Sequence, residues 1–436
     1  IPQCAQHAGY RNEPQGRSQG ESRSAQHAGY PVTSTTVVLI LAALLGVQPI
    51  TTDLYLPALP ALTTGFGASM GQAQLTLTGL LLAFGVSQLV WGPLSDHYGR
   101  RPVLLVGLTA YIVAAIGSAL APSMDLLVAW RIVQGVAMGA GVTCARAIIR
   151  DLYHPNDGAK VMSKALSGLG VIACMSAPLG GLLSEWFSWR VALLTLAVFG
   201  AVSLALVANR FQESLAHKST RAPGPVSLAR TWLQVVRNPT FLAYSALSAA
   251  SYGGLFTFLA ASSFIYIQVL GIGTTQYGFL MFSVSFSYLS GTFLCRRLLA
   301  RLGVRRTVAV ASAMSLSAGT AMGLFAYLGL SSGPHGAWYI TLPFYLFMLG
   351  HGIHQPCGQS GAVGPFPRQA GAAAALNGFG MMLVAFAVGG WLGTRMDGTV
   401  FPLTNGIWFW GAAIATSGWT LVQKYGDVDH GATPSR

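Results

Sequence analysis

From Val37 onward the chain is cut into a succession of apolar runs, each close to the roughly 20 residues that a membrane-crossing helix needs. Twelve such spans lie at about 37–61, 73–94, 103–121, 126–148, 161–183, 190–208, 241–264, 275–295, 307–330, 337–358, 370–394 and 404–422. Inside a bilayer every backbone N–H and C=O must be satisfied internally, and runs of this length do so as helices. Composition agrees, with 53% hydrophobic and only 8% charged residues against roughly 25% charged in an average soluble domain. The implied class is an all-α integral membrane protein.

The longest internal connection, Asn209 to Thr240, contains Glu213, Lys218, Arg221, Pro223, Pro225, Arg230 and Arg237 and divides the spans six and six. The expected organisation is a polar N-terminal tail over 1–34, a six-helix bundle over 35–210, a connecting loop over 211–238, a second six-helix bundle over 239–424 and a short tail over 425–436. The first tail holds AQHAGY twice, at Ala5 to Tyr10 and Ala25 to Tyr30. It lacks the apolar core of a secretory signal and reads as a disordered segment.

The balance of 25 Lys and Arg against 12 Asp and Glu gives a net charge of +13. With both termini cytoplasmic, 22 of the 25 basic residues fall in cytoplasmic loops, helix ends and tails, which is the positive-inside asymmetry. Orientation and lipid contact thus account for the excess, and nucleic acid is not an expected partner. Trp186, Trp189 and Trp338 fall at the outer boundaries, where an aromatic belt would sit. The five cysteines have no metal-ligand spacing and read as packing residues.

A few residues break the apolar pattern. Asp53, in Thr51 to Pro60 (TTDLYLPALP), is the one charge in the first span, and an ionised Asp at mid-membrane costs about 2.5–3.5 kcal/mol on insertion scales. Such residues face a protein interior or a water path, where their protonation can change as a cavity opens and closes. Arg131 is the only Lys or Arg deep in a span. Between spans two and three stands Gly92-Pro-Leu-Ser-Asp96-His-Tyr-Gly99-Arg100-Arg101-Pro102, a turn with an acid and two arginines. A weaker copy, Arg301-Leu-Gly303-Val-Arg305-Arg306, follows 204 residues later. Parallel repeats of six helices are implied, and at the same offset Asp53 falls on Thr257.

His351, His354 and Cys357 occupy one face of span ten at i, i+3 and i+6, but six residues span about 9 Å, too far for the outer two to chelate one ion. No metal is expected, and the histidines are expected to line a cavity. Tyr252, Phe256 and Phe258 of span seven, Tyr55 of span one and Gln134 of span four are further lining candidates. The absence of a G-x-x-x-x-G-K-[ST] phosphate loop argues against an ATP-driven pump. A proton gradient without any cofactor is the expected energy source.

The chain resembles the major facilitator superfamily, and within it the Bcr/CflA-type drug:proton antiporters, over about Thr36 to Lys424. Gly92 to Pro102 is similar to the superfamily's G-x-L-[SA]-D-x-x-G-R-[RK]-P loop, and Arg131-Ile-Val-Gln134-Gly135 to its R-x-x-Q-G motif. Asp53-Leu-Tyr-Leu-Pro57-Ala-Leu-Pro60 and Phe366-Pro367-Arg368-Gln369-Ala370-Gly371 are similar to Bcr/CflA sequences. The resemblance implies two pseudo-symmetric halves rocking about a central site. It makes Asp53 and Arg131 the proton-coupling residues, and Gly92, Asp96, Gly99, Arg100 and Arg101 a cytoplasmic gate that locks the inner helix ends in the outward-facing state. Where the span-five antiporter motif has G-P-x-x-G-G, this chain has Ala177-Pro178-Leu-Gly180-Gly181-Leu182. Pro178 and Gly181 match while Ala177 and Leu182 do not, so direction of transport rests on less than the fold does.

The implied function is export of an amphipathic antibiotic such as a phenicol or a bicyclomycin-like drug by a monomer in a bacterial inner membrane, in exchange for protons. Within transport, the runner-up is export of an endogenous sugar or amino-acid derivative. A membrane-embedded enzyme would need clustered acids or a nucleophile converging with histidines. A channel would need pore rings from symmetric subunits. Only the sparse histidine pair of span ten hints at the enzyme, which is the non-transporter alternative, and a pseudo-repeat lacking one carboxylate does not supply such rings.

Overall fold

The protein is described from a computed structural model over residues 34–153, 155–215, 225–333 and 335–426. The expected polar tail over 1–33, part of the connecting loop (216–224) and the end of the C-terminal tail (427–436) lie outside the described residues. Among the described residues every regular element is helical.

Among the described residues twelve long rods carry the fold. In the first half they are α1 (Thr35–Phe66), α2 (Met70–Tyr98), α3 (Arg100–Ala119), α4 (Met124–Leu152), α5 (Pro155–Trp186) and α6 (Trp189–Arg210). In the second half α7 (Pro239–Val269) is followed by the helical run Thr274–Tyr327, which breaks at Gly303 (φ 72°) into α8 and α9. Then come α10 (Gly336–Val363), α11 (Ala370–Arg395) and α12, which starts at Phe401 and continues to Tyr425. The rods outrun the apolar spans at several ends, because polar residues outside the hydrocarbon continue a helix without penalty. Between α8 and α9 the expected basic turn is a kink, since only one residue leaves helical geometry there.

Local signals set the boundaries. Ser69 caps α2 with a capping box to Gln72, Ser123 caps α4 and Ser188 caps α6, each side chain accepting from an otherwise orphaned N–H of the first turn. The connecting segment holds a further helix, Pro225–Val236, which packs on α7 and α11. The two halves meet along α2 with α11 and α5 with α8. Small residues allow that approach: a Cβ on Gly85 would lie 2.7 Å from Met382 Cβ, and one on Gly393 2.9 Å from the Gly71 Cα.

Residues such as Val106, Val198, Phe286 and Phe409 are exposed on the outer faces of the rods, where lipid would cover them. Trp186 and Trp338 are exposed at helix ends as a belt requires, but Trp189 is buried. Its ring packs on Phe66 at 5.3 Å and under the Arg190 guanidinium at 4.2 Å, so it joins α1 to α6 instead of facing an interface.

Candidate functional site

Between the halves lies a cavity of about 530 Å³, within the range of pockets that hold drug-sized ligands. Each lining helix contributes one periodic face. Leu45, Gln48, Pro49, Thr52, Asp53 and Leu56 come from α1, Tyr252, Leu255, Phe256 and Leu259 from α7, and Met348, His351, Gln355 and Gln359 from α10. The remaining wall is mostly Leu, Met, Val and Phe from α2, α5, α8 and α11.

Asp53 stands where α1 breaks. The regular helix ends at Asp53, and Pro57 and Pro60 impose a short tight turn over Leu56–Ala58 before helix resumes at Leu59. Thr52 donates a hydrogen bond of 2.8 Å to Asp53 Oδ1. Helix α5 approaches this break through Gly180, where any Cβ would collide with the carbonyl oxygen of Leu54. The next residue, Gly181, faces the other half, and a Cβ there would lie 2.7 Å from the Thr274 carbonyl oxygen of α8. Pro178 sits one turn earlier, its Cα 2.9 Å from where a Cβ of Gly278 would be. This stretch of α5 therefore touches both halves.

Arg131 is not paired with Asp53 in this structure. Helical phase puts Thr51 and Tyr55 on the face of α1 opposite Thr52 and Asp53, and Arg131 serves that rear face. It donates to the Thr51 carbonyl at 3.1 Å, the Thr76 carbonyl at 3.4 Å and Gln134 Oε1 at 2.8 Å, and it lies 4.3 Å from the centre of the Tyr55 ring. Tyr55 donates in turn to Thr76 Oγ1 at 2.8 Å, and Tyr111 meets Thr51 Oγ1 at 2.6 Å. All of these side chains are fully buried. Tyr55 and Gln134, expected in the cavity wall, are thus occupied behind it.

In the second half Tyr252, Phe256 and His351 line the cavity. His351 Nδ1 is 2.8 Å from Ser251 Oγ, and its ring lies 5.6 Å from Tyr288. His354 does not line the cavity: one turn further round α10 it is buried inside the second half, beside Val308. Phe258 is likewise buried away from the cavity, stacked on Phe344 at 3.6 Å. Thr257, the positional counterpart of Asp53, turns towards Gly406 of α12.

The cavity is sealed at the end where α1 finishes. Gln74 Nε2 donates to the Ala260 carbonyl at 2.6 Å, and Glu185 Oε2 of α5 accepts from both Thr274 Oγ1 and the Thr275 N–H at 2.8 Å. Towards the opposite end the lining continues through Gln88, Met162, Arg146 and Gln359, the last two exposed to solvent. That end carries the basic Gly99 turn.

There Arg100 is almost wholly buried and binds Asp96 at 2.7 Å, Asp151 at 2.9 Å and Ser95 Oγ at 2.6 Å. Glu213 accepts from the N–H groups of Arg100 and Arg101 at 2.9 and 3.1 Å, which caps α3 with a carboxylate. Gly99 has φ 106°, and any Cβ there would strike Glu213. Arg101 donates to the carbonyls of Phe211 and Ala208 at 2.9 and 3.0 Å. A Cβ on Gly92 would lie 3.9 Å from the Thr143 methyl of α4, an ordinary contact distance. The network joins α2, α3, α4 and α6 inside one half. Asp151 and Glu213 were not singled out from sequence, and neither was Arg146.

A family profile of the Major Facilitator Superfamily matches residues 39–390. The chain is 28% identical over 359 residues to a bicyclomycin resistance protein homolog of Haemophilus influenzae, covering 82% of this chain and 87% of that protein. It is 28% identical to multidrug resistance protein D of Escherichia coli, covering 79% and 85%. It is 30% identical to a chloramphenicol resistance protein of Pseudomonas aeruginosa over 60% of this chain and 62% of that one. Among solved structures, the xylose transporter XylE of E. coli superposes with a TM-score of 0.68 at 13% identity, covering 90% of this chain and 97% of that one.

Proposed function

This chain belongs to the Major Facilitator Superfamily, and we propose that it exports a small amphipathic antibiotic, phenicol-like or bicyclomycin-like, in exchange for protons. It is a multi-pass membrane transporter, and its curated relatives include proteins named for bicyclomycin, chloramphenicol and multidrug resistance. The observation that carries the proton-coupled reading is the placement of Asp53. A lone carboxylate at a helix break, beside α5 where it touches both halves, faces the cavity that a substrate would fill.

In this reading the basic end is cytoplasmic and the cavity is open to it. Drug enters from that side, the halves rock, and the seal of Gln74, Ala260, Glu185 and Thr274 parts while the basic end closes. Asp53 is the proton site, and Arg131 acts on it indirectly by holding the α1 backbone at Thr51. The Arg100 cluster keeps the inner ends of the first half rigid. Asp96, paired with Arg100 but with 47% of its side chain exposed, is the member placed to engage the second half on closure. The protein works as a monomer, with lipid and substrate as its partners and no cofactor.

Cells expressing the chain should show raised minimum inhibitory concentrations for a phenicol or for bicyclomycin. An uncoupler should abolish that gain, as should Asp53→Asn at unchanged abundance in the membrane. Resistance that survives both treatments would defeat proton-driven export.

A further inference from the structure

Three arginines of the first half's helices stand at very different states of satisfaction. Arg100 binds two carboxylates and a hydroxyl. Arg131 uses its donors on two carbonyls and an amide and covers a tyrosine ring. Arg146, two turns from the end of α4, lines the cavity, and among the described residues no ion pair, hydrogen bond or ring contact is recorded for it. A guanidinium presents five N–H donors in a planar fork that matches a carboxylate bidentately. An ionisable side chain that lines a water-accessible cavity of a membrane protein, with no protein group to hold it, points to a functional site.

Asp53 cannot supply the missing partner. Arg131 contacts α1 at Thr51, level with Asp53, and Arg146 lies fifteen residues further along α4, about 22 Å down the axis. Asp53 and Arg146 are the two formally charged residues among those lining the cavity, one at its closed end and one near its mouth. The same lining holds the amides of Gln88, Gln355 and Gln359 and the apolar Met162 and Leu166, with Gln359 donating to Gln355 Oε1 at 3.1 Å and Gln355 to the Ser248 carbonyl at 3.3 Å.

We infer that Arg146 is an entry subsite for an oxyanion, so that beside neutral phenicol-like compounds this cavity also takes amphipathic compounds with one carboxylate or comparable oxyanionic end and an apolar body, and prefers them to their neutral analogues. The oxyanion docks on the guanidinium fork with help from the amides, and the apolar body lies along the Leu and Met wall towards Asp53. This rests on the cavity being the substrate site, and it is independent of proton coupling.

The test uses the purified full-length protein without any gradient, so that it reads selectivity alone. Dansylglycine and dansylglycinamide share one fluorescent body and differ in a carboxylate against an amide. The wild type should bind dansylglycine at least tenfold more tightly. Arg146→Gln should weaken dansylglycine at least tenfold and the amide less than threefold, while Arg146→Lys should recover part of the preference. Equal affinities in the wild type, parallel losses of both probes, or binding of neither would overturn the inference. Failure of Asp53→Asn to affect export, with the dansylglycine preference intact, would instead count against proton coupling alone.

Discussion

At the scale of single residues, the TTDLY run is decided by helical phase. Thr52, Asp53 and Leu56 face the cavity, whereas Thr51 and Tyr55 face Arg131. Sequence identifies Asp53 and Arg131 as costly and therefore purposeful, but it invites pairing opposite charges that a helix turns in opposite directions. The same phase argument places His351 in the wall and His354 behind it. Arg146 was legible only as one of several basic residues near a helix end, because Arg150, Lys160 and Lys164 follow it and orientation explains them all. Arg131→Lys keeps the charge but cannot reach Thr51, Thr76 and Gln134 together from one ammonium. It should lose at least one charge-assisted bond of about 1.5–3 kcal/mol, read as a lower thermal midpoint of the detergent-purified protein. A midpoint equal to wild type would show that the guanidinium geometry is dispensable.

At the scale of elements, twelve rods and their order could be read from hydropathy, since each rod must span the bilayer whatever its neighbours do. What touches what at the rod ends could not. Asp151 reaches Arg100 from 51 residues away along the chain and Glu213 reaches the N–H of Arg101 from 112, and nothing local announces that. The Ala177 to Leu182 stretch shows the reverse case. Pro178 and Gly181 were noted by motif, but the tightest approach to the α1 break is made by Gly180, whose Cβ would overlap the Leu54 carbonyl. Gly180→Ala should therefore destabilise the protein by about 1–3 kcal/mol, the usual range for overpacking. Gly380→Ala on α11, with nothing within 4 Å of the added carbon, should leave the thermal midpoint unchanged or slightly raised. Equal midpoints for the two variants would mean that α5 does not need to approach α1 so closely.

At the scale of the whole molecule, two bundles enclose a cavity sealed at one end by hydrogen bonds that run from one half to the other. The salt bridges among the described residues sit at the opposite end, within the first half. In the proposed transport cycle the basic end moves as one body and the contact at the other end separates. The central claim is that Asp53 exchanges a proton when substrate leaves. Purified protein in liposomes with a pH-sensitive dye inside reports it directly: a chloramphenicol gradient across the bilayer should drive proton movement in the opposite direction, and Asp53→Asn should abolish that movement. Drug-driven proton flux at the wild-type rate in Asp53→Asn liposomes would contradict the account.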